Sequence, residues 1–132
     1  MNAKRYLQQL ERLNIMIDAI QRKIDRWKDV ATNTTPQTGG ERVQSSGNQQ
    51  KMADAVNKYV DIERDELEPL KRKKSEIIST MERLDNTLQF KVLYMHYEER
   101  KDYTQIAREL NYSYGHIERA HREGLRKIEK ML

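Results

Sequence analysis

The sequence predicts an all-α chain: a long antiparallel, coiled-coil-like helical hairpin over residues 1–85, followed by a small helix-turn-helix domain over residues 86–132. Three observations carry that expectation. Apolar residues recur in steps of four and three from Tyr6 to Ala31. A polar stretch of nineteen residues, 32–50, then interrupts them with Pro36, Gly39, Gly40 and Gly47. The last third holds two short amphipathic segments on either side of Asn111-Tyr112-Ser113.

Composition agrees with thin, elongated packing. Hydrophobic residues make up 36% of the 132 positions and charged ones 35%; so little apolar material favours long amphipathic helices over a thick globule. Basic residues outnumber acidic ones, 25 to 21, for a net charge of +4 and a pI near 9.3. That mild excess admits nucleic-acid binding without requiring it. Without cysteine there can be no disulfide, no thiolate nucleophile and no Cys-ligated zinc, and a reducing cytosol is the simplest address. The start, MNAKRYLQQLERL, lacks an apolar h-region, and no run of apolar residues is long enough to span a bilayer, so neither a signal peptide nor a membrane partner is expected.

In chain order, Tyr6, Leu10, Leu13, Ile17, Ile20, Ile24, Trp27 and Ala31 form a heptad seam. A helix with so narrow a stripe needs a partner helix, from this chain or from another copy. Residues 32–50 leave almost nothing to bury and read as a long polar loop. Its GERVQSSG portion has neither a Gly-Lys-Ser/Thr ending nor a Gly-x-Ser-x-Gly elbow, so it is no phosphate cradle and no nucleophile turn. Helix is expected again from about Gln50 to Leu84, with Met52, Val56, Tyr59 or Val60, Leu67, Leu70, Ile77, Met81 and Leu84 along one side. Glu63 and Lys74 interrupt that seam, and Pro69 should kink or break it. The run Lys71 to Lys74 fits either a phosphate contact or a solvated face, and nearby Glu66, Glu68 and Glu76 favour the second. Asp85-Asn86-Thr87 reads as a stop followed by an N-cap.

The segment from Thr87 to Tyr97 supplies a supporting helix, because two short helices alone bury too little surface. After a polar connection, Glu98 to Asp102, a helix is expected from about Tyr103 to Leu110, with Ile106, Ala107 and Leu110 on one face. Asn111 stands where the chain must turn sharply, through a left-handed residue. Ser113 is placed to cap a last helix opened by Tyr114, whose inner stripe is Ile117, Ala120, Gly124, Leu125 and Ile128. Ala107 lies four before Asn111 and Ile117 six after it, a spacing that lets two helices cross steeply; a plain helical hairpin with a polar turn is the alternative.

A recognition helix presents the outer face of its first turns to the major groove, here Tyr114, Gly115, His116, Glu118, Arg119 and Arg122. Arg119 is the candidate for direct readout, since its fork can bond guanine O6 and N7 together. Tyr114 and His116 reach base edges or phosphates. Glu118 either accepts from cytosine N4 or pairs with Arg122 at i+4. Arg122, Arg126, Lys127 and Lys130 would supply charge toward the backbone, and Lys101, Tyr103 and Thr104 are placed to meet phosphate.

The segment KVLYMHYEERKDYTQIARELNYSYGHIERAHREGLRKIEKML, from Lys91, resembles region 4 of bacterial sigma factors, which reads the upstream promoter element. The resemblance rests on Lys91-Val92-Leu93, on Tyr103 to Ala107 and on Gly124 to Ile128. It implies base contacts at Tyr114, Gly115, Glu118 and Arg119, although Gly115 departs from the usual longer side chain, and Tyr114 and Arg119 differ in type from primary sigma factors. No counterpart of the promoter-melting sigma region occurs, so a complete sigma factor is not expected. The whole chain resembles short phage-encoded proteins related to the ArpU and RinA regulators of late transcription in phages of Gram-positive bacteria, through its MNAKRYLQQL start, the GERVQSSG…KMADAV segment and the sigma-like end. That resemblance implies an activator of late genes that binds double-stranded promoter DNA and works with host RNA polymerase, self-associating through the hairpin. The rival reading is a small terminase subunit, which also joins a helix-turn-helix to an oligomerising helical segment; a third is a polymerase-binding protein that does not touch DNA. His116 and His121 are five apart, and His96 falls in another helix, so no metal site is expected. No catalytic constellation or cofactor motif stands out, and an enzyme is not expected.

Overall fold

The computed structural model describes residues 2–32 and 46–132, and among these it is all-helical, with no strand. The GERVQ segment and most of the polar stretch lie outside the described residues. The chain forms two compact units, Met1–Ile15 with Arg72–Leu132, and Met16–Lys71. This grouping differs from a boundary after Asp85, because packing follows contact rather than chain order.

Helix α1 spans Ala3–Thr32, passing from the first unit into the second. Within Met16–Lys71 it is joined by α2, Ser46–Ile62, a π-helical turn at Glu63–Leu67, and the start of α3, Glu68–Glu82. Ile24, Ile62 and Leu67 are buried together, with Ile17, Ile20, Trp27 and Tyr59 packed around them. Lys28 pairs with Glu63 at 4.0 Å and Lys23 with Glu66 at 2.9 Å, so the sequence positions ascend on one segment as they descend on the other.

Two expectations are corrected here. Helix begins at Ser46, not Gln50, with Gln50 Nε2 donating to Asp54 Oδ1 one turn on. Val56 and Val60 lie exposed, while Ala55 and Ile62 are buried. The inner stripe therefore runs Ala55, Tyr59, Ile62 and then steps by five to Leu67. That extra residue is absorbed by the π turn, closed by Glu68 N–H on Glu63 O. Pro69 follows directly: a ring there would strike the carbonyl four residues back in a regular α-helix, and a widened turn relieves the clash.

In the other unit, the stripe of α3 continues through Ile77, Met81 and Leu84, all buried. Lys74, read as an interruption, bonds Glu98 Oε2 at 2.7 Å, and Asn14 Nδ2 donates to the other oxygen of Glu98 at 2.9 Å. A charge is tolerated near the core because it is paired. Tyr6 also turns its hydroxyl to Thr80 at 2.9 Å. On α1, Ala3 and Leu7 are buried beside the expected Leu10 and Leu13, which broadens the stripe.

Helix α4, Thr87–Leu93, starts at Asn86, whose side chain accepts from Gln89 N–H. It runs into a second π turn, Tyr94–Glu98, closed by Glu99 N–H on Tyr94 O. Arg100 then takes a left-handed conformation with φ 60°, and Asp102 caps α5, Tyr103–Leu110. Asn111, at φ 61° and ψ 43°, ends α5. Tyr112 N–H reaches Ala107 O at 3.1 Å, the same carbonyl that Asn111 N–H bonds, so one left-handed residue brings two donors to a carbonyl near the helix end. Ser113 then caps α6, Tyr114–Met131, accepting from His116 N–H at 3.2 Å.

Helix α6 packs against both α4 and α5. Val92, Ile106, Ala107, Ile117 and Ala120 form the shared core, flanked by Leu88, Met95, Tyr103 and Leu110. Gly124 lets α4 come close: a Cβ there would lie 3.0 Å from Leu93 Cδ1.

Candidate nucleic-acid interface

The inner face of α6 fixes which side chains look outward. Ile117, Ala120, His121, Gly124 and Ile128 are buried, so positions 115, 118, 119, 122 and 126 fall on the far side of the cylinder. Gly115, Glu118, Arg119, Arg122 and Arg126 are exposed, and Tyr114 keeps 51% of its surface in solvent. Arg119, Arg122, Arg126 and Lys130 follow one another by three, four and four residues, a basic stripe along the helix. Arg122 approaches Glu118 at 3.8 Å, while Arg119, Arg126 and Lys130 have no ion pair among the described residues.

Other candidates are placed differently. His116 is half-buried, and its ring stacks on Tyr112 with centroids 4.6 Å apart; Tyr112, itself 44% exposed, was not singled out from the sequence. His116 and Arg119 also line a shallow pocket with Asn86, Leu88, Gln89 and Glu123. Lys127 is drawn to Asp85 at 3.2 Å. Thr104 is exposed. Lys101 is spoken for: its ammonium bonds Glu109 and Glu99 at 2.9 and 3.1 Å, and these bonds raise its pKa.

Tyr103 departs most from the sequence reading, because its hydroxyl turns inward. It bonds His121 Nδ1 at 2.7 Å, and Tyr97 Oη meets His121 Nε2 at 2.9 Å. A neutral imidazole has one donor and one acceptor, so it satisfies one hydroxyl in each sense. Burial pushes His121 down to about 4, with His96 and Lys4 adding repulsion. Burial likewise raises both tyrosines, Tyr97 further through Tyr103, and Tyr103 further through Tyr114 and Glu118.

His96 lies in another helical segment from His121, as expected, but the π turn brings its ring within 5.1 Å of that of His121. Its Nδ1 is bonded to Lys101 O at 2.8 Å. Among the described residues no three His, Cys, Asp or Glu side chains are grouped as a metal would need. The burial of His121 was findable from sequence, since position 121 lies four past Ile117 and three before Gly124, on the buried stripe; its partners were not. Tyr103 in turn touches Tyr114 edge-on at 5.7 Å, linking the buried cluster to the exposed face.

No family model, curated protein or solved structure matches this chain. Among the described residues no helix is long and apolar enough to cross a membrane.

Proposed function

We propose that the chain is a DNA-binding regulator of phage late genes, in which α5, the Asn111 turn and α6 act as a sigma region 4-like helix-turn-helix. The observation that carries this reading is the contrast across α6. Its inner face is locked by buried side chains, while its outer face offers Arg119, Arg122 and Arg126 in one row with Tyr114 at its head. A rod held this firmly can present a guanidinium fork to a base edge with little backbone freedom left to lose on binding. Arg119 reads a base, Arg122 and Arg126 neutralise phosphate, and Thr104 at the start of α5 adds a neutral contact. Lys127 joins them once it leaves Asp85. The antiparallel segments of α1, α2 and α3 provide self-association, and host RNA polymerase is the partner in activation.

Binding to duplexes selected from a randomised library tests this. The affinity should fall linearly with the logarithm of salt concentration, with a slope of about −0.9 per phosphate neutralised. Arg119→Ala should weaken the selected duplex by about 1–3 kcal/mol and leave a scrambled duplex far less affected. Binding that is insensitive to salt and to Arg119→Ala would remove DNA from the account. Ring-shaped assemblies that bind DNA without promoter preference would turn it toward packaging.

A further inference from the structure

Gly115 has no internal reason to be glycine. It lies in the first turn of α6, its backbone is not left-handed, and a Cβ built there meets nothing within 4 Å. Glycine weakens a helix relative to alanine because it has more backbone freedom to lose. Chain conformation and packing give nothing in return. Beside it, Tyr112 and Tyr114 leave 44% and 51% of their surfaces in solvent, Tyr112 stacked on His116 and Tyr114 edge-on to Tyr103. Half-exposed tyrosines offer an apolar ring and a polar tip that a partner can cover. Arg119, with no ion pair among the described residues, stands one turn beyond Gly115 on the same face.

We propose that Gly115 is where the α6 backbone comes closest to the DNA, and that position 115 is bare because a side chain there would strike the wall of the major groove. Glycine is the residue used where backbone must approach a ligand closely. Position 115 then sets how deep the helix sits, and so whether Arg119 reaches a base edge or stops at phosphate. The inference rests on the DNA-binding reading above.

Gly115→Ala and Gly115→Leu test it beside Arg119→Ala, each titrated against a duplex selected by the wild-type protein and against a scrambled duplex. Both Gly115 variants should melt at a higher temperature than wild type. Both should nevertheless bind the selected duplex less well, Gly115→Leu by roughly tenfold or more, a change of about 1.4 kcal/mol. The scrambled duplex, held through phosphates, should change little. A stabilised Gly115→Leu that binds the selected duplex like wild type, while Arg119→Ala loses it, overturns the role of Gly115 and leaves the DNA reading standing. A wild-type protein that selects no duplex overturns both. A Gly115→Leu variant that melts lower than wild type also overturns the inference, because position 115 would then have an internal reason for glycine.

Discussion

The two faces of α6 use the same residue type in opposite surroundings. At Gly124 a Cβ would come within 3.0 Å of Leu93 Cδ1, 3.4 Å of Leu93 Cγ and 3.5 Å of Gln89 Cβ; at Gly115 it would meet nothing. On the inner face, Gly124 is required by a neighbour that the chain itself supplies. On the outer face no such neighbour exists among the described residues, and the proposed approach to DNA is what would give glycine a reason at 115. The difference separates residues that hold the helix from residues that the held helix offers.

The strongest way to break this division is to truncate the inner face. Ile117 is fully buried in the core shared with Ile106 and Val92, so Ile117→Ala should cost about 2–5 kcal/mol in denaturant unfolding. A loss much below that would mean α6 is not locked. Next comes acid. His121, neutral in the fold, titrates near 4 rather than 6.5, so the unfolded chain binds the extra proton in between. Stability from this group is fully present above about 6.5 and is lost as pH falls toward about 4, at most about 3 kcal/mol. His121→Gln should flatten that part of the stability profile; an unchanged profile would show that the imidazole does not couple to folding.

The glycines themselves give a smaller effect with opposite signs. Leu93 is fully buried and has little room to yield, so Gly124→Val should destabilise by about 1–3 kcal/mol. Gly115→Ala should stabilise by up to about 1 kcal/mol. Thermal melts of the two variants that shift in the same direction would erase the contrast between faces. Smallest is Arg122→Ala. Its partner Glu118 is 3.8 Å away and both side chains are exposed, so stability should stay within about 0.5 kcal/mol, while the salt slope of DNA binding should drop by about one.

Much of this was legible in the residues. Asn111 and Ser113 are written in local chemistry: a residue that tolerates a left-handed backbone, and a hydroxyl that accepts from the next turn. The buried positions at Ile106, Ala107, Ile117 and Ala120 follow from helical spacing, as does the outward placement of Arg119. The α2 stripe was harder. Val56 and Val60 look more apolar than Ala55, and composition gives no hint that a π turn will step the register from Ile62 to Leu67. Lys74 looked like a fault in the seam because its partner, Glu98, is distant in sequence.

The sequence by itself determined where helices start and stop in the last third, and which side of α6 faces inward, because caps and periodicity act over a few residues. Only the tertiary structure decided that Tyr103 serves His121 rather than phosphate, that Lys101 is held by Glu99 and Glu109, and that Gly124 answers to Leu93. Those are matters of which groups meet across helices, and a hydroxyl or an ammonium carries no local sign of the partner that will claim it.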